Sequence, residues 1–181
     1  MPFRTITIGH TPDMDDAFMF YGLAERQVPL DGLRIEHVIE DIQTLNQRAL
    51  KAELDVTAVS AATYPFVAKD YWILSVGSSV GRGYGPLVVS SRAYSLEELN
   101  GRRIAIPGLH TTAFFLLRLA VAGCVPVEMR FEAIPEAVLA GTVDAGLLIH
   151  EGQLTYHDQG LLPLIDLGLW WQQQTHLPIP L

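Results

Sequence analysis

The segment Ile104-Ala-Ile-Pro-Gly-Leu-His-Thr-Thr-Ala-Phe-Phe-Leu-Leu117 predicts a short buried strand, a turn and an apolar helix in succession. The first backbone N–H groups of a helix lack internal acceptors and lie at the positive end of its dipole. Thr111 and Thr112 at this turn therefore indicate a binding site for a carboxylate or another anion, with added hydroxyl donors. An ordinary helix N-cap explains the same two threonines, and both interpretations stay open.

On either side of this segment, strand and helix patterns alternate, which predicts the α/β class with a mostly parallel sheet covered on both faces. A stretch with four glycines, residues 77–85, interrupts the alternation, and the pattern restarts near residue 91. The chain is therefore expected to form a first lobe over residues 1–90 and a second over residues 91–177, with residues 178–181 beginning a second crossing between lobes. Predicted strands cover residues 4–8, 33–39, 54–59, 72–76, 86–90, 103–106, 127–131 and 144–149; the longer predicted helices cover residues 13–27, 42–51, 111–122 and 135–140.

Composition and charge exclude several classes of protein. The chain is 49% hydrophobic and 18% charged, which is typical of a globular protein, and it contains no apolar run long enough to span a membrane. A net charge of −8 disfavours nucleic acids and anionic membranes as partners. The N-terminus enters a strand without the features of a signal peptide, so a cytoplasmic location is expected.

Cysteine and histidine usage gives no support for a metal or a cofactor. Cys124 is the only cysteine, and at the end of an apolar helix it is expected to be packed rather than nucleophilic. The six histidines are scattered, without the spacing of a zinc site. Residues 81–85, Gly-Arg-Gly-Tyr-Gly, lack the strand–helix context of a dinucleotide-binding loop. We therefore expect neither a metal nor a cofactor.

A histidine at the end of an apolar strand is the main candidate for catalysis. In Leu147-Leu-Ile-His-Glu151, His150 follows the strand directly, and ligands of open α/β sheets bind beyond the carboxyl ends of strands. A neutral imidazole can remove a proton near neutral pH. A loop histidine without a catalytic role fits the same position, so the residues alone leave the choice open.

Several motifs together resemble one family, the 1,4-dihydroxy-6-naphthoate synthases of the futalosine route to menaquinone. They are Thr11-Pro12 followed by Asp16-Ala-Phe-Met-Phe20, Glu40-Asp-Ile-Gln-Thr-Leu-Asn46, Gly81-Arg-Gly-Tyr-Gly-Pro-Leu-Val-Val89, Gly108-Leu-His-Thr-Thr112, Gly146-Leu-Leu-Ile-His-Glu-Gly-Gln-Leu-Thr-Tyr156 and Asp166-Leu-Gly-Leu-Trp-Trp171. The resemblance covers the whole chain. It implies a two-lobed architecture like that of type II periplasmic binding proteins, with a central cleft.

The resemblance also implies a function: a lyase without a cofactor that cleaves cyclic dehypoxanthinyl futalosine to 1,4-dihydroxy-6-naphthoate. His150 would be the general base, and a small-molecule substrate with a carboxylate would be the partner. Substrate-binding positions are then expected at Thr111, Thr112, Ser60, Arg82 and His110. A helix N-cap explains Ser60 nearly as well, and an exposed loop position explains Arg82.

The chain departs from the family pattern in two places. The first motif carries Asp13, Asp15 and Asp16, and these carboxylates would repel an anionic substrate unless they cap the following helix. Family members are also expected to continue beyond Leu177-Pro-Ile-Pro-Leu181, returning into the first lobe. Without that return, the first lobe would expose apolar surface.

Two other functions fit the same architecture. A non-catalytic binding protein for small carboxylates would need no base. An enzyme similar to chorismate dehydratase would act on an enolpyruvyl ether instead of the futalosine derivative.

Overall fold

The computed structural model describes residues 3–180, which form two compact units that divide between Ser79 and Val80. The sequence pattern predicts this boundary near residue 90. The difference arises from the strand Leu87–Ser90, which pairs with strands 145–148 and 162–166 of the second unit. Ladder hydrogen bonds to distant residues decide the unit to which this strand belongs.

The first unit contains a parallel three-stranded sheet with strand order β2-β1-β3. Two of its helices begin at aspartate N-caps, Asp13 and Asp41, whose carboxylates accept backbone N–H groups of the first turn. The elements are β1 (Arg4–His10), α1 (Met14–Ala24), β2 (Leu33–Ile39), α2 (Ile42–Ala49), β3 (Val56–Thr57) and α3 (Tyr64–Val67).

Residues 72–76 do not form the strand that their apolar run predicted. Trp72 is 93% exposed, and the side chains of Ile73, Leu74 and Val76 are exposed as well. An apolar run becomes a strand only where another strand accepts its ladder hydrogen bonds. No strand in the described part of the chain pairs with this segment.

The second unit contains a mixed five-stranded sheet with strand order β7-β6-β8-β5-β9, and a separate two-stranded ribbon. In the main sheet, β6 is parallel to β7 and β8, and β5 is antiparallel to β8 and β9. The strands are β4 (Val80–Gly81), β5 (Leu87–Ser90), β6 (Arg103–Ile106), β7 (Val125–Glu128), β8 (Ala145–Leu148), β9 (Leu162–Asp166) and β10 (Ile179–Pro180). The helices are α4 (Thr112–Ala120), α5 (Ile134–Leu139), α6 (Gly152–Thr155) and α7 (Leu167–Thr175).

Both faces of this sheet are buried, as the continuous apolar strands predicted. Ile104 and Ile106 point to one face, where they pack in a cluster with residues of α4 and α7. Ala105 lies between them in sequence and packs on the opposite face with Ile134 and Val138 of α5. The α/β class with mixed, mostly parallel sheets is confirmed.

Among residues 3–180, no helix is both long and apolar enough to cross a membrane. The same residues contain no group of three or more histidine, cysteine, aspartate or glutamate side chains placed to hold a metal ion.

Candidate functional site

In the second unit, the two segments with the strongest chemical signals follow neighbouring strands. β6 and β8 are parallel and adjacent, with Ile104 opposite Ala145 and Ala105 opposite Gly146. The turn that leads to Thr111 follows β6, and His150 follows β8. Because the carboxyl ends of parallel strands lie at the same sheet edge, both segments lie where ligands of α/β sheets bind.

Thr111 is the N-cap of α4, and its hydroxyl is occupied within the protein. Its Oγ1 accepts the Phe114 N–H (3.1 Å) and donates to the Gly108 carbonyl (2.9 Å), and the residue is only 3% exposed. A hydroxyl has one proton to donate, so Thr111 has none left for a carboxylate. The capping explanation therefore accounts for Thr111 in this structure, and its role in substrate binding stays a prediction.

Thr112 and His110 flank this cap. Thr112 is the first residue of α4 and is buried, and His110 is half-buried in the preceding turn. The first intrahelical N–H donor of α4 is Phe115, which bonds to the Thr111 carbonyl (3.1 Å). The role of Thr112 and His110 in binding an anion at this turn stays a prediction.

His150 lies in the turn between β8 and α6 with an unusual backbone conformation. Its φ is +51°, in the left-handed region that few non-glycine residues adopt. The imidazole is half-buried and meets the edge of the Phe131 ring, with a centroid distance of 5.1 Å. No sequence pattern indicates Phe131 as a neighbour of His150, because the contact depends on how α5 and its preceding turn pack on the sheet.

Arg82 lies in the turn after β4 and is exposed. In the described part of the chain it forms no ion pair. This position fits an exposed loop arginine, and the role of Arg82 in substrate binding stays a prediction.

In the first unit, Ser60 is held by a buried amide. The Asn46 side chain donates to Ser60 Oγ (2.9 Å), and its oxygen accepts the Ser60 N–H (2.8 Å). Asn46 has no exposed surface and Ser60 is 6% exposed. Ser60 follows β3, next to β1, so it lies at the carboxyl-end edge of the first sheet. Asn46 lies in the family motif at residues 40–46, but no local sequence pattern predicts its hydrogen bonds to Ser60.

The three carboxylates of the acidic motif, Asp13, Asp15 and Asp16, accept hydrogen bonds from other groups of the first unit. Asp13 caps α1 through the Asp16 N–H (3.0 Å), and Asp15 accepts a short hydrogen bond from the Ser79 hydroxyl. The buried Asp16 carboxylate accepts the Thr11 N–H (2.6 Å) and the Thr11 hydroxyl (3.0 Å). Asp13 and Asp16 therefore hold the turn after β1 in place.

Two histidines form a pair beside this turn. His10 Nδ1 donates to the Thr11 carbonyl (3.1 Å), so in the neutral ring Nε2 accepts from His37 Nδ1 (3.0 Å). His37 Nε2 is then a buried acceptor, and no group among the described residues bonds to it. Burial, and secondarily the His10 imidazole, lowers the pKa of His37 below its usual value.

Cys124 packs against the α4 side of the second sheet. Burial raises the pKa of its thiol above the ordinary value. Because the thiolate is the nucleophilic form, the structure agrees with a packed cysteine.

Comparison with known proteins identifies a family. Residues 6–181 match the family described as menaquinone biosynthesis. A protein of Thermus thermophilus named 1,4-dihydroxy-6-naphthoate synthase is 45% identical over 178 residues, which cover 98% of this chain and 64% of that protein. A protein of Streptomyces coelicolor with the same name is 42% identical and is covered to 65%. The chain thus spans just under two thirds of the length of these curated relatives.

Two solved structures superpose on this chain and show the fold to which it belongs. A crystal structure of an Archaeoglobus fulgidus protein superposes with a TM-score of 0.92 at 55% identity, over 97% of this chain and 65% of that chain. An alkanesulfonate-binding protein of Xanthomonas axonopodis pv. citri, solved with bound MOPS, superposes with a TM-score of 0.69 at 18% identity, over 92% of this chain and 62% of that one. At that identity the similarity concerns the fold alone, and it confirms the predicted architecture of the periplasmic-binding-protein type.

Proposed function

The chain belongs to the menaquinone biosynthesis family, and on that premise we propose that it has the lyase activity that converts cyclic dehypoxanthinyl futalosine to 1,4-dihydroxy-6-naphthoate in the cytoplasm. The support is the identity of 45% and 42% to two proteins named for this product. The proposal assigns no metal and no cofactor to the chain.

The observation that carries the proposal is the placement of His150 and Thr112 after the adjacent parallel strands β8 and β6. A base and an anion site at one sheet edge suit a substrate that presents a carboxylate and an acidic C–H bond. In the proposed reaction the His150 imidazole takes a proton from a substrate carbon, and the electron pair of that C–H bond becomes a new π bond of the naphthoate ring. The bond between the ring and the sugar-derived fragment breaks, and its electron pair leaves with the fragment, which then takes up a proton. During this step the N-terminal turn of α4 binds the substrate carboxylate.

Ser60 is proposed as a further substrate contact in the first unit. Asn46 occupies one lone pair of the Ser60 hydroxyl by donating to it, so the hydroxyl proton is directed elsewhere. It can be donated to an oxygen of the substrate. His110 is proposed as a secondary contact because it lies in the turn before α4, and Arg82 because it is an exposed cation in the turn after β4.

The direct test is mass-spectrometric detection of 1,4-dihydroxy-6-naphthoate after incubation of the chain with cyclic dehypoxanthinyl futalosine. The assay is run with this chain and with a version extended to the length of the curated relatives. Parallel incubation with chorismate tests the dehydratase alternative. Ligand binding without product in both versions would favour a binding protein of the same architecture.

The role of His150 is tested by His150→Asn, because asparagine tolerates the left-handed backbone and has no titrating nitrogen. We expect turnover to fall by roughly 10² to 10⁴, with substrate binding nearly unchanged. The matched control is His157→Asn, which alters an exposed histidine of the short 3-10 helix after α6 and should leave turnover at the wild-type level. Unchanged turnover in His150→Asn would remove this residue from the mechanism.

A further inference from the structure

The conformation of His150 needs an explanation from its surroundings. Its φ of +51° is costly for a residue with a side chain, and such conformations persist where neighbouring groups hold them. The turn is short, because β8 ends at Leu148 and α6 begins at Gly152. A base in such a turn depends on contacts beyond the strand for its orientation.

Gln153 forms hydrogen bonds with both backbone groups of His150, its carbonyl and its N–H. Its backbone N–H donates to the His150 carbonyl (3.2 Å). In the amide orientation that satisfies every neighbour, the Gln153 side-chain oxygen accepts the His150 N–H at 3.3 Å. The two bonds close the turn around His150.

The other end of the same amide is attached to a different part of the second unit. The Gln153 NH2 group donates to the Gly85 carbonyl at 2.7 Å. Gly85 lies just before β5, the neighbour of β8 in the sheet. The amide thus connects the turn after β8 to the segment that leads into β5.

The Gly85 carbonyl is a firmly held acceptor. The backbones of Gly85 and Gly168 approach so closely that a Cβ added at Gly168 would lie 2.2 Å from the Tyr84 oxygen. Asp166 caps α7 through the Gly168 N–H (2.8 Å), and the Leu167 N–H donates to the Pro86 carbonyl (2.8 Å). The beginning of α7 therefore holds the segment to which Gln153 bonds.

We propose that Gln153 is a positioning residue for the base: by bridging the His150 N–H and the Gly85 carbonyl, it keeps His150 in its left-handed turn and fixes the direction of the imidazole. The Phe131 ring, in T-shaped contact with the imidazole, also limits its movement. The inference rests on the proposed function for its catalytic consequence, whereas its structural content concerns this chain alone.

The test compares Gln153→Met, which keeps the length of the side chain without its hydrogen bonds, with Gln173→Met on an exposed position of α7. The first readout is NMR of the whole chain: hydrogen exchange of the His150 amide and the imidazole resonances of His150. In Gln153→Met we expect amide exchange about tenfold faster or more, since a protected N–H loses its acceptor, together with shifted imidazole resonances. The control should match the wild type in both.

The second readout is kinetic. A misdirected base lowers kcat without weakening substrate binding, so kcat of Gln153→Met should fall about tenfold to a hundredfold while KM stays within about twofold. Gln153→Glu keeps an acceptor for the His150 N–H and loses the donor to Gly85, so it should lie between wild type and Gln153→Met. It also provides a second variant if Gln153→Met fails to fold.

The two proposals fail in different ways. If His150→Asn keeps full turnover, the assignment of the base fails, and the NMR comparison still decides the role of Gln153. Unchanged His150 exchange and imidazole resonances in the folded Gln153 variants would overturn the positioning role. An equal loss of kcat from Gln153→Met in wild type and in a His150→Asn background would also overturn it, because Gln153 would then act by another route.

Discussion

Thr111 and Thr112 are adjacent and chemically identical, but Thr111 is the N-cap of α4 and Thr112 is its first helical residue. The Thr111 hydroxyl is used by the cap, and we propose that Thr112 contributes to binding a substrate carboxylate. A charge-assisted hydrogen bond contributes about 1.5 to 3 kcal/mol, so Thr112→Val should raise KM roughly tenfold to a hundredfold with a smaller effect on kcat. Steady-state kinetics beside Thr142→Val, an exposed threonine, provides the measurement. Equal binding of an ester analogue by the wild type would contradict a carboxylate at this turn.

His37 makes the stability of the first unit depend on pH. Its folded-state pKa is lowered from about 6.5, by burial first and by His10 second, so the unfolded chain takes up the proton more readily as the pH falls. The free energy of unfolding should therefore decrease as the pH drops below about 6.5, until His37 is protonated in the folded state as well. Urea unfolding between about pH 7.5 and 5.5 measures this slope. In His37→Asn, which can still donate to His10, the slope should be smaller; a slope equal to that of the wild type would contradict the prediction.

At the scale of the element, α4 begins at an N-cap whose hydrogen bonds Thr111 supplies. Removing the Thr111 hydroxyl leaves the Phe114 N–H and the Gly108 carbonyl without this partner. Thr111→Val should lower the free energy of unfolding of the second unit by about 0.5 to 2 kcal/mol. Thr111→Ser keeps the hydroxyl and should retain most of the stability, which denaturant titration of both variants checks. Equal stability of the Val and Ser variants would show that the cap contributes nothing.

The elements that the sequence predicted correctly have local causes. Alternation of apolar residues marks strands such as β2 (Leu33–Ile39), and an aspartate before an apolar run marks the beginning of α1. Residues 72–76 have an equally apolar pattern and form no strand. The difference lies in the hydrogen-bond partner, which is a property of the sheet and not of the segment.

At the scale of the whole molecule, close contact between distant backbones stabilises the second unit. Gly85 and Gly168 are far apart in sequence, yet neither has room for a Cβ. Gly168→Ala should therefore destabilise this unit by about 1 to 3 kcal/mol through overpacking, and it should also disturb the Gly85 carbonyl that Gln153 uses. Gly152→Ala is the control, because its Cβ would meet Leu148 at an ordinary 3.6 Å. Thermal unfolding at the same temperature for both variants would refute the steric argument.

Local patterns in the chain were sufficient for the α/β class, for most strands and helices, and for the membership of the family, because periodicity, capping residues and short motifs act over neighbouring residues. They also located His150 at a strand end. Folding alone decided that β5 joins the second unit, that Thr111 uses its hydroxyl for the cap, and that Asn46 holds Ser60. The bridge from Gln153 to Gly85 belongs to this second group. Each of these features depends on which distant backbone groups meet across the sheets, and strand order and close packing determine those meetings.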